Sequence, residues 1–123
     1  MLRVTDFMFN DHALESAAEY DSWQPEDPCY LDEWVKVLVG QEDGEGHWFQ
    51  VHLCTHASIS RIDKKEYLFP VSYWESIDDL IVKLDKYIFD TLPNNLNLEN
   101  ENDYGLAMQN LSKHWHWEYA NYA

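Results

Sequence analysis

The chain has 123 residues, 46% of them apolar, and carries 23 acidic against 8 basic residues for a net charge of −15. That length suits one domain, 1–123, that can bury a core without disulfide or metal staples. The charge argues against nucleic-acid and anionic-membrane ligands, and no apolar run approaches the roughly twenty residues of a membrane span.

Leu2 to Met8 reads as a short strand, with Leu2, Val4 and Asp6 facing one way and Arg3, Thr5 and Phe7 the other. The polar stretch from Asp11 to Glu19 has the composition of one or two helical turns, capped by Asn10 or Asp11. Pro25 and Pro28 then impose a fixed, extended connection.

Tyr30 to Gly40 and Trp48 to Thr55 form the two arms of an antiparallel hairpin, closed by the Gly- and acid-rich segment 41–46. Side chains alternate along a strand. Val35, Val37 and Val39 therefore share a core face with Phe49, Val51 and Leu53. The opposite face carries Asp32, Trp34, Lys36 and Leu38 beside Trp48, Gln50, His52 and Cys54.

Tyr67 to Tyr73 is a third strand, and Pro70 within it marks an edge or a bulge. Ser76 caps the clearest helix, in which Ile77, Leu80, Ile81, Leu84, Tyr87 and Ile88 recur at helical spacing before Pro93. A second helix spans Asp103 to Lys113, with Leu106, Ala107 or Met108, and Leu111 as its buried side. Trp115 to Tyr122 is an aromatic tail that closes the core. The fold class is α+β: an antiparallel sheet of three to five strands built on a central hairpin, with two helices on one face.

Ser22 to Glu33 reads SWQPEDPCYLDE and leads into the strand beginning at Trp34. This Trp-x-Pro-Glu-Asp entry is followed by the hairpin ending Leu53-Cys-Thr55, the helix from Ser76 and the terminal Trp-His-Trp-Glu-Tyr. In that order the chain resembles the immunity protein 8 family over all but roughly its first twenty residues. The resemblance implies a bacterial antitoxin that binds a cognate secreted toxin domain, of the kind used in contact-dependent inhibition, and performs no catalysis of its own.

Several constellations invite a chemical reading. His52-x-Cys54-x-His56 places imidazole and thiolate at strand spacing, and His114 and His116 repeat that spacing, as zinc ligands would. The convergence of four ligands is not implied by the spacing, so no metal, cofactor or catalytic residue is expected. Cys29 and Cys54 are too few for a disulfide framework. The first residues lack the basic region and apolar stretch of a secretory signal, so a cytoplasmic protein with free, buried thiols is expected. Trp23 with Pro25 reads first as a clamped loop.

The outer sheet face has the composition of an interaction hot spot, aromatic anchors with a charged rim. Its candidate partner-binding residues are Asp32, Trp34, Lys36, Trp48, Gln50 and His52, joined by Glu42, Asp43 and Glu45 at the hairpin tip. Up to Gly46 there are twelve acidic and two basic residues, which concentrates charge of −10 near this face. The expected partner is a basic toxin domain, a nuclease or ribonuclease, bound one to one by a protein that is a monomer when free. The rival readings are an acidic nucleic-acid mimic that inhibits a host nucleic-acid-binding protein, and a His/Cys metal-dependent enzyme.

Overall fold

A computed structural model describes residues 1–41 and 46–118. Its strands are β1 (Arg3–Phe9), β2 (Asp32–Gly40), β3 (Gly46–Thr55), β4 (Leu68–Val71) and β5 (His116–Trp117), and its helices α1 (Ala17–Ser22), α2 (Ile77–Thr91) and α3 (Glu101–Leu111). The sheet order is β1-β2-β3-β4, with β5 also paired to β3. The α+β class and the central hairpin are as expected, and all three helices lie on the core side of the sheet.

The hairpin register sets the molecule's two faces. Val35 pairs with Val51 and Val37 with Phe49, and all six residues of the predicted apolar rows are fully buried. Leu80, Leu84 and Ile88 of α2, Ala107, Met108 and Leu111 of α3, and Trp115 complete one continuous core. Among the described residues no helix is long and apolar enough to cross a membrane.

Five details depart from the sequence reading. The β1 register shifts between Val4 and Asp6, so a bulge at Thr5 turns Val4, Phe7 and Phe9 all inward. Strict alternation had put Phe7 opposite Val4. The first helix starts later, at Ala17, because Ser16 supplies the cap through its hydroxyl to the Glu19 N–H. A third helix is thereby added to the expected two. β4 runs parallel to β3 within the otherwise antiparallel sheet, reached through a 3₁₀ turn at Ile59–Arg61. Leu106 is largely exposed, since α3 buries the stripe of Ala107, Met108 and Leu111.

Buried polar contacts tie the motif loop to the end of β3. The Ser58 hydroxyl lies 2.5 Å from the Leu31 carbonyl, and the Leu31 N–H donates to Thr55 Oγ1 at 3.0 Å. Two strands share the outer edge of β3: β4 pairs along His52 to Thr55 and β5 along Phe49 and Gln50. This brings His116 and Tyr67 onto the same side of the sheet as Trp34.

Candidate partner-binding face

The sheet face opposite the core carries the cross-strand pairs Asp32–Cys54, Trp34–His52, Lys36–Gln50 and Leu38–Trp48. β1 extends it with Asp6 and Met8, which pair with Leu38 and Lys36. The three helices pack on the other side; on this face Trp34, Lys36, Leu38, Trp48 and Gln50 keep part of their surface open, whereas His52 and Cys54 at its far end are buried. Trp34, Lys36, Leu38, Trp48 and Gln50 are each half-buried, and Asp32 is exposed.

At its centre the Trp34 indole stacks on the His52 imidazole, with centroids 4.5 Å apart and planes inclined by 23°. His52 Nε2 lies 2.5 Å from Asp32 Oδ1. An ionised carboxylate only accepts, so Nε2 carries the hydrogen of this bond. His52 itself is 5% exposed, while the Asp32 side chain is 44% exposed. The pair thus anchors a surface carboxylate to a buried ring. Lys36 Nζ sits 3.0 Å from Glu118 Oε1, and the Gln50 amide donates to the same oxygen at 3.4 Å. Lys36 and Gln50 are held in place by a shared carboxylate.

Beside this face opens a cleft of about 460 Å³ lined by the motif residues Trp23, Pro25, Glu26 and Asp27 together with Asp32 and Arg61. The structural role expected of Trp23 is visible: its ring packs on Phe9 at 4.4 Å and edge-on to Trp74 at 4.9 Å. Two backbone bonds fix the loop, from Tyr30 N–H to the Asp27 carbonyl and from Trp74 N–H to the Pro28 carbonyl. Arg61 stacks over the Tyr30 ring at 5.5 Å.

The tempting chemical constellations come apart in space. β3 ends at Thr55 and His56 turns out to solvent, so it leaves the face shared by His52 and Cys54. His114 is engaged by the Tyr87 hydroxyl at 3.0 Å. No group of three or more His, Cys, Asp or Glu side chains is placed to share a metal ion among the described residues. Burial, reinforced by the Asp32 carboxylate, lifts the Cys54 thiol to about 11, so it is protonated and a poor nucleophile at neutral pH. Cys29 is exposed, contrary to the expectation of two buried thiols, because the Pro-bounded loop lies at the surface. Asp78 and Asp79 are accounted for by the α2 N-terminus. The Lys83 hydrogen bond holds Asp79 below the usual carboxylate range, and the Asp79 N–H donates to the Ser76 cap.

Of the residues predicted to bind a partner, Asp32, Trp34, Lys36, Trp48, Gln50 and His52 come together on one face. His52 contributes from beneath, by supporting Trp34. Glu42, Asp43 and Glu45 lie outside the described residues. Sequence reasoning missed Tyr67, His116 and Met8. The last two follow from pairings that no local pattern encodes, β5 to β3 and the shifted register of β1. No known family model, curated protein or solved structure matches the chain.

Proposed function

We propose that this chain is an antitoxin of the immunity-protein kind, acting in the cytoplasm, which binds a cognate basic toxin domain one to one and blocks its active site or substrate surface. The observation that carries this reading is the open part of the outer sheet face, with half-buried Trp34 and Trp48 set among charged residues, in a chain of net charge −15. Aromatic anchors ringed by polar groups are the usual composition of an energetic hot spot. The acidic surplus selects a basic partner and speeds its encounter. A nuclease or ribonuclease domain fits that description, because it needs a positive surface to hold phosphates. The motif order from Trp23 through Trp117 supports the same reading. Inhibition is steric and electrostatic: carboxylates occupy the Lys and Arg groups that would hold substrate, and the indoles slow release.

Co-expression with the toxin domain encoded beside this gene tests it. Growth is expected to be rescued and the two chains to co-purify through gel filtration as a one-to-one complex. The Trp34→Ala/Trp48→Ala double variant is expected to lose at least tenfold in affinity, in line with hot-spot truncations of about 2 kcal/mol or more. Toxicity that persists with no complex formed sinks the proposal.

A further inference from the structure

A groove on the open face suggests what the partner places there. It is a depression of about 430 Å³ lined by Trp34, Gln50, Tyr67, His116 and the Lys64–Glu66 pair. His52 stacks on one face of the Trp34 indole, and Trp34 also lines the groove. At the edge of the imidazole lies the Asp32 carboxylate, 2.5 Å from Nε2. The Trp34 indole thus offers a π surface stacked on an imidazole whose edge is hydrogen-bonded to a carboxylate, and such a surface attracts a cation.

Tyr67 forms the opposite side, and its backbone is in the left-handed region at φ 57°. For a tyrosine that conformation is uncommon and strained. It is held where the Tyr67 carbonyl accepts from the His52 N–H at 2.9 Å, with its ring 5.3 Å from that of His116. The strained residue lies outside the core. Its side chain lines the groove.

We propose that this groove receives an arginine side chain of the partner, with the guanidinium stacked on the Trp34 indole and Glu66 accepting its N–H groups. The assignment rests on the reading of this face as the partner site and adds the chemistry of its anchor. Overall charge complementarity favours a basic group. Arginine suits the groove better than lysine because its planar, weakly hydrated head stacks on aromatic rings and presents a fork of donors. Lys64 does not pre-empt it: its ammonium is 3.5 Å from Glu66, and both side chains are mostly exposed. Such a pair is weak and easily exchanged.

The test is an NMR titration of the ¹⁵N-labelled full chain with N-acetyl-arginine amide and, in parallel, N-acetyl-lysine amide at low salt. The Trp34 indole N–H is expected to shift saturably, with arginine binding about two- to fivefold tighter than lysine. Trp34→Leu keeps an apolar cover on His52 but removes the π face, and it abolishes the shift. Should that variant fail to fold, Tyr67→Asn tolerates the left-handed backbone and is expected to weaken binding. A Glu26→Gln/Asp27→Asn variant, altered only in the neighbouring cleft, binds as the parent does. Equal affinity for both amides, or shifts centred on Glu26 and Asp27 that survive Trp34→Leu, overturn the assignment. No toxin enters this measurement. Failed growth rescue beside a positive titration removes the antitoxin reading alone, and rescue without an arginine-selective shift removes the groove assignment alone.

Discussion

Cys54 shows how one residue's surroundings decide its chemistry. From sequence it sat between two histidines at ligand spacing; in the fold it is a fully buried thiol beside Asp32. Burial first, then the Asp32 charge, raise it from 9.0 to about 11. The folded chain therefore holds this proton more tightly than the unfolded chain. Its contribution to stability is fully present below about pH 9 and is lost as pH climbs toward 11. Tyr87, raised by burial, acts in the same direction. Denaturation midpoints measured between pH 8 and 11 are expected to fall, and to fall less steeply in Cys54→Ala. Parallel pH profiles for the two proteins would show that Cys54 is not the group responsible. Trp34 was legible as an anchor because strand alternation alone puts it on the face opposite Val35 and Val37. Tyr67 was not, since nothing in Lys65-Glu-Tyr-Leu68 announces a left-handed backbone.

Among the elements, those built on local periodicity were legible and those built on distant pairing were not. The hairpin strands follow from two alternating apolar rows, and α2 from its helical spacing and cap. Ser76 accepts the Asp79 N–H at 3.0 Å in an extended N-cap conformation. Ser76→Ala is expected to lower stability by about 1 kcal/mol, whereas Ser76→Gly costs only a few tenths; urea unfolding midpoints at unchanged m separate the two. An unchanged midpoint in Ser76→Ala would mean that the hydroxyl hydrogen bond does not stabilise the cap. The bulge at Thr5 escaped because it breaks the period-two pattern that identified the strand. It has a clear consequence: β1 keeps three apolar side chains inward, while the Val4 N–H is taken by Asp85 of α2 at 2.7 Å. That carboxylate satisfies a backbone donor on β1, where an unpaired edge invites another chain. The parallel β3–β4 pairing escaped for a different reason. Its crossing, 56–67, holds only a 3₁₀ turn and no periodic segment, so direction could not be read from it.

For the molecule as a whole, the surplus of 15 negative charges has two effects that respond to salt with opposite signs. Within the folded chain it is self-repulsion, which works against compactness. Lys36, Lys64, Lys83 and Lys86 each neutralise one carboxylate locally, but all four pairs are at least partly exposed and contribute little individually. Screening should therefore relieve more repulsion than it removes attraction, and thermal stability is expected to rise between 10 and 150 mM NaCl. Toward a basic partner the same field is attractive and accelerates encounter, so the association rate is expected to fall over that salt range, by roughly tenfold or more. Dissociation, governed by the desolvated contacts of Trp34 and Trp48, should change far less. Calorimetric scans and stopped-flow association in one salt series measure both. A melting temperature that falls with salt would show that the surface pairs outweigh the net charge. A salt-independent association rate would mean that the partner is not selected by charge, and the case for a basic toxin domain would lose its electrostatic support.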